Sequence, residues 1–217
     1  MVAGLFGRDP WRTDDAAGFG IALTMFTGST IDWLVPNVEG VLVASDGPLP
    51  FWIGALAMRA AAQLNGLLAA LSPLVLSPLS PAPQISPDLA FRTVTAMAIA
   101  VAFTLAWYAS YGFARRPEIQ PDDPIGIAAS RRDFGRAVAD SALLALIATF
   151  GLLARLHETT ADTWQFLWTT LYLYGLSRAL ERPRTGGIIG GLALGATLLT
   201  KGAPLAMGIQ RWWAQEL

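Results

Sequence analysis

The sequence predicts an all-α, polytopic integral membrane protein, and three observations carry that expectation. Hydrophobic residues make up 53% of the chain and charged residues only 14%, well below the roughly 25% charged residues of a soluble globular domain. Mean hydropathy is positive, at +0.46. Long apolar runs alternate with short arginine-rich segments, the pattern of spans joined by cytoplasmic loops. A formal net charge of −1 offers no field for nucleic acid, and no basic patch interleaved with aromatics is present, so nucleic-acid binding is set aside. Cysteine is absent, which removes disulfides and thiolate metal sites.

Taken in order, Met1 to Gly7 is too short for a signal peptide or a span. Residues 8–46 mix charges, aromatics, Gly and Pro and read as a folded loop at the membrane surface. Within it Thr13 is a good N-cap, Asp14 and Asp15 then fall in the first turn where the macrodipole favours negative charge, and Phe19, Ile21, Leu23 and Phe26 follow on a short amphipathic helix. Ile31 to Asn37 reads as extended, with Trp33 at the interface, because Pro36 pushes Val35 out of helical geometry. Pro48 to Leu71 is apolar but carries Arg59, Gln63 and Asn65, which suits a helix lying half in water better than one crossing the bilayer. Ser72 to Pro87 holds Pro73, Pro78, Pro81, Pro83 and Pro87 and reads as a loop.

Leu89 to Phe113 is long enough to cross, with Arg92 near its start and Trp107, Tyr108 and Tyr111 toward its end as an aromatic belt. Ser141 to Leu156, Thr163 to Leu180 and Gly186 to Ile209 are further apolar runs, giving about four transmembrane helices. Residues 1–87 thus form an outer-face region with interfacial juxtamembrane helices, and residues 88–217 a transmembrane bundle. In the last run Gly187, Gly191 and Gly195 recur every four residues, as a face for close helix packing. Arg115, Arg116, Arg131, Arg132 and Arg136, with Arg178, Arg182 and Arg184, mark cytoplasmic loops by the positive-inside rule. The turn from Leu156 to Asp162 then faces outward, and so do Asp14, Asp15 and Asp46 if Pro48 to Leu71 lies in the interface.

Three polar groups stand out. Asp14 and Asp15 suit either a capped helix start or the edge of an active site. Glu158 and Asp162 are four apart and share a face if their turn is helical, while Thr159 or Thr160 could equally cap a helix there. His157 beside them is the only histidine and on its own reads more readily as a surface residue than as a ligand. With the scattered carboxylates it could hold a divalent cation, although the spacing matches no dedicated metal motif. Lys201 sits inside an apolar run, where insertion of a cation costs at least ~2.5 kcal/mol, so it reads as a functional group or as a side chain snorkelling to the interface.

Gly7 to Ala16 (GRDPWRTDDA), Asp32-Trp33-Leu34-Val35-Pro36, Gly47-Pro48-Leu49-Pro50-Phe51-Trp52 and Leu199-Thr200-Lys201-Gly202 resemble the bacterial GT-C glycosyltransferases related to aminoarabinose (lipid A) transferases and protein O-mannosyltransferases. The resemblance implies a GT-C-like, multi-pass enzyme of the bacterial inner (plasma) membrane. Such an enzyme takes a sugar from a polyprenyl-phosphate carrier and passes it to a lipid, glycan or protein acceptor on the periplasmic or extracellular face. It implies catalysis by Asp14, with Asp15 as its acidic neighbour and Asp162 as the second outward aspartate. Asp46, His157, Glu158 and Lys201 would bind substrate. The family's acid-Lys-Pro-Pro signature is replaced here by Ser45, Asp46, Gly47 and Pro48, which leaves Lys201 to meet the carrier phosphate. The family also has a span before the Asp14 motif and many after the Lys201 region, so the resemblance implies the N-terminal portion of a longer enzyme. The rival from another class is a non-enzymatic polytopic membrane protein, a transporter piece or assembly subunit, whose carboxylates cap helices or line an ion path.

Overall fold

The computed structural model describes residues 5–6, 13–43, 46–75, 84–121, 130–149, 156 and 158–202. Among them are six α-helices and one two-stranded hairpin, so the all-helical expectation holds. The helices are α1 (Thr13–Thr27), α2 (Leu49–Val75), α3 (Pro87–Ala114), α4 (Arg131–Ala148), α5 (Ala161–Ala179) and α6 (Pro183–Lys201). The chain falls into two compact units. One holds residues 1–97, 157–161 and 199–217, and the other residues 98–156 and 162–198.

In the first unit α1 opens with Asp14 and Asp15 in its first turn, as the dipole argument requires. Its apolar face carries Ile21, Ala22 and Met25, which pack with Phe51, Ala55 and Met58 of α2 and Phe91 of α3 into a buried core. Positions 51, 55 and 58 recur at helical spacing, so one stripe of α2 supplies the contact. Leu56, Leu64, Leu67 and Leu71 form a second stripe on another face of α2, and all four are exposed. Between α1 and α2 a 3-10 turn, Thr30–Trp33, leads into β1 (Asn37–Val38) and β2 (Val41–Leu42). Glu39 and Gly40 both have positive φ, 49° and 86°, which makes the connection a two-residue type I′ turn. The segment read as extended, Ile31 to Asn37, is therefore mostly 3-10 turn and bend, and only Asn37 enters the hairpin. Helix α2 also runs through Ser72 and Pro73 to Val75, past the point where the proline-rich loop was expected to begin. Residues 76–83 of that loop lie outside the described residues.

In the second unit α5 and α6 approach backbone to backbone at glycines other than those anticipated. A Cβ on Gly175 would meet the Gly190 amide nitrogen at 2.7 Å, and one on Gly186 would strike Ala179. At Gly187, Gly191 and Gly195 it would meet nothing within 4 Å, so the packing face lies one residue earlier in the repeat. Trp107 of α3 donates its indole N–H to Asp140 of α4 at 2.7 Å and stacks on Tyr111 at 5.4 Å.

By length and composition, α2 (over Leu49–Leu71) and α3 (over Pro87–Ala114) can cross a membrane, and among the described residues only these two qualify. Only 22% and 33% of their apolar windows are buried, unlike the core helices of a soluble domain.

Candidate functional site

The first unit gathers most of the acids singled out in the sequence, and their surroundings separate them. Asp14 and Asp15 are neighbours on α1, so their side chains diverge by about 100°. Asp14 is exposed, while Asp15 is fully buried. The Asp15 carboxylate accepts the amide and the hydroxyl of Thr159, each at 2.8 Å on Oδ1. Its other oxygen meets the Arg92 guanidinium at 3.4 Å. Arg92 is itself only 2% exposed and donates a second N–H to the Leu5 carbonyl at 2.6 Å. Gly18, one turn along the same face of α1, lets this approach happen, because a Cβ there would fall on the Thr159 carbonyl oxygen.

The binding of Thr159 to Asp15 also sets the shape of the second acidic group. Glu158, Thr159 and Thr160 are not helical, and α5 begins only at Ala161. The helical i,i+4 pairing of Glu158 with Asp162 is thus not formed. Glu158 is buried in the non-helical segment, whereas Asp162 lies in the first turn of α5 and belongs to the other unit. Thr160 directly precedes α5, yet its hydroxyl finds no hydrogen-bond partner among the described residues, so it does not cap that helix with its side chain. His157 lies outside the described residues.

A second polar pair joins the approach to α2 with the end of α6. Lys201 donates to Asp46 at 2.9 Å, with side chains 26% and 21% exposed. One residue along, the Gly47 amide donates to the Thr200 carbonyl at 2.8 Å, satisfying one of the orphan acceptors that end a helix. Gly202 then takes positive φ, 70°, and closes α6. A side chain at position 47 would strike the Leu199 carbonyl, so this junction requires glycine. Lys201 in the last turn of α6 also offsets the negative end of that helix.

The loop between α1 and α2 is braced by its own polar groups. Asp32 accepts the Ser29 amide at 2.7 Å and the Ser29 hydroxyl at 3.0 Å, and these bonds hold its carboxyl below the usual carboxylate range. Asn37 donates to the Val35 carbonyl at 3.0 Å and accepts the Gly40 amide at 3.1 Å. Trp52 donates its indole N–H to the Trp33 carbonyl at 2.5 Å, and Arg59 lies over the Trp33 ring at 4.6 Å.

Sequence reasoning marked Asp14, Asp15, Asp46, Glu158 and Lys201 and missed Arg92 and Thr159 as partners of Asp15 and Thr200 as the partner of Gly47. The signal for Arg92 was available, since a lone arginine inside an apolar run is the same anomaly that drew attention to Lys201. Among the described residues no group of three His, Asp or Glu side chains converges in a way that could hold a metal ion. No protein-family model, curated protein or solved structure matches the chain.

Proposed function

We propose that this chain is a membrane glycosyltransferase of the GT-C type, working from a polyprenyl-phosphate-linked sugar on the outer face of a bacterial inner membrane. The observation that supports it best is that the marked polar residues share one compact unit. Asp14, Asp15, Asp46, Glu158 and Lys201 come from three distant stretches of sequence and belong to one compact unit. In this reading Asp14, the exposed member of its pair, takes the proton from the acceptor hydroxyl or amine. The acceptor atom bonds to the anomeric carbon as the carbon–oxygen bond to the carrier phosphate breaks. Lys201, moving from Asp46 to the departing phosphate, offsets the charge that builds there. Asp15 holds α1 in position through Arg92 and Thr159, and Glu158 of the same unit orients the sugar.

The placement of α2 in the interface, with α3 crossing, is supported by the exposed face of α2. Gly54 faces the Phe91 ring and Asn65 exchanges two hydrogen bonds with Ile85, at 2.8 and 2.9 Å. Later positions of α2 thus meet earlier positions of the chain leading into α3, an antiparallel approach. The exposed leucine stripe of α2, with Arg59 and Gln63 beside it, suits a helix lying on lipid. The orientation and the full number of spans follow the arginine pattern and belong to the same proposal.

One observation favours the rival, a non-enzymatic membrane protein: the lysine meant for phosphate is already paired with Asp46. Transfer of labelled sugar from synthetic polyprenyl-phosphate donors, measured in membranes carrying the full chain, decides between them. Asp14→Asn should cut transfer by at least about 10²-fold with the protein amount unchanged. Turnover equal to that of the unsubstituted chain would sink the assignment, and no transfer from any donor would favour the rival.

A further inference from the structure

The second unit contains a basic cavity that sugar transfer does not use. It has a volume of about 510 Å³, and Tyr111, Arg115, Arg116, Arg131, Arg132 and Glu181 line it. Four guanidinium groups thus face a single carboxylate. That carboxylate is taken up by Arg115, against which it packs closely, and by Arg178 at 3.4 Å. Arg116 pairs with Glu118 at 3.6 Å. Arg131 and Arg132 make no ion pair among the described residues, and both are exposed. They are also the first two residues of α4, where the helix dipole disfavours positive charge. Helix stability therefore gives no reason for their placement, whereas an anion held between them and Arg115 and Arg116 would.

The depth of the cavity identifies the anion. Trp107, Tyr108 and Tyr111 cluster near the end of α3, the arrangement of an interfacial aromatic belt. Arg115 follows Tyr111 by four residues and lies over its ring at 5.5 Å. One helical turn, about 5.4 Å, thus separates the aromatic belt from the first guanidinium. In a bilayer that step leads from the acyl boundary to the plane of the phosphates, and basic residues place this end of α3 in the cytoplasmic leaflet, where anionic lipids collect. Exposed Leu173, Leu176 and Leu180 on α5 and its following turn give acyl chains an apolar surface in the same unit.

We propose that this arginine-lined cavity binds the phosphodiester headgroup of an anionic phospholipid of the cytoplasmic leaflet. The proposal rests on α3 crossing the bilayer and is independent of sugar transfer. The full chain, purified in dodecyl maltoside, would be titrated with phosphatidylglycerol, phosphatidylcholine and soluble glycerol 3-phosphate, with bound lipid read by native mass spectrometry. Phosphatidylglycerol should bind at least ~10-fold more tightly than phosphatidylcholine, and glycerol 3-phosphate should not compete at millimolar concentration. The Arg131→Gln/Arg132→Gln double variant should lose ~10-fold or more of that affinity while its circular dichroism stays unchanged. Arg182→Gln/Arg184→Gln removes the same charge outside the cavity and should bind like the parent. Equal binding of both lipids, equal losses in the two double variants, or no loss in the first would overturn the proposal. Saturation by glycerol 3-phosphate would assign the site to a soluble phosphate instead.

Discussion

The buried Asp15–Arg92 pair makes the sharpest prediction about what holds the candidate site together. Replacing Arg92 with Met keeps most of the volume and the two bonds from Thr159, but leaves a fully buried carboxylate without its cation and the Leu5 carbonyl without its donor. Breaking one side of a buried pair costs about 3–5 kcal/mol. Asp15→Asn should cost a similar amount, because the new amide would face the guanidinium donor to donor. The double substitution removes both charges and should cost less than the two single changes added, with a coupling of about 2–3 kcal/mol. Unfolding in mixed dodecyl maltoside and dodecyl sulfate micelles, followed by tryptophan fluorescence, gives all four corners of the cycle. Asp14→Asn serves as the control and should cost clearly less, about 1 kcal/mol or below, since Asp14 is exposed in the first turn of α1. If the measured coupling fell below about 0.5 kcal/mol, the pair would not be holding α1 in place and the positional argument would fail.

Two other outcomes can be checked with less effort. Exchanging the partners, Asp46→Lys with Lys201→Asp, should cost only about 1 kcal/mol, because the ion pair can re-form while an acid now sits at the negative end of α6, yet abolish the proposed sugar transfer because the cation has left α6. Transfer that survived the exchange would show that Lys201 has no place at the phosphate. The lowered carboxyl of Asp32 predicts a pH dependence as well. A carboxylate held below its ordinary value of 3.8 contributes stability above that value and loses it as pH falls through the lower folded value. Amide exchange at Ser29 and Gly40 should therefore lose protection below about pH 3.8. Asp32→Asn should remove the step, and an unchanged profile in that variant would assign it elsewhere.

Periodicity and punctuation made the helices legible. Two acids after Thr13 announced the start of α1 and the apolar run beyond Pro87 announced α3, whereas the last run was read as far as Ile209 and α6 ends at Lys201, closed by Gly202 in the left-handed region. What stayed hidden depended on partners far away in sequence. Nothing local says that Thr159 gives both of its donors to Asp15, so nothing local says that residues 158–160 stay out of the helix. The hairpin was concealed because its first turn residue is Glu39, which rarely takes positive φ, and only Gly40 hinted at a turn. The glycine face of α6 failed for a simpler reason. Gly186-Gly187 and Gly190-Gly191 are adjacent pairs, and sequence alone does not tell which member of each faces α5.

The bonds that close the first unit also impose a timetable on its biosynthesis. Asp15 waits for Thr159, 144 residues later, and Asp46 waits for Lys201, 155 residues later. At synthesis rates of 5–20 residues per second, the acid at the start of α1 is made roughly 7–30 s before its partner. Arg92 follows Asp15 by 77 residues and can meet one carboxylate oxygen early, while the other oxygen stays hydrated until Thr159 is made. Assembly of the first unit is thus a late event that follows synthesis of the intervening helices. A ribosome stalled before residue 159 would hold a chain in which α1 to α4 are already made while one oxygen of Asp15 still lacks its donors.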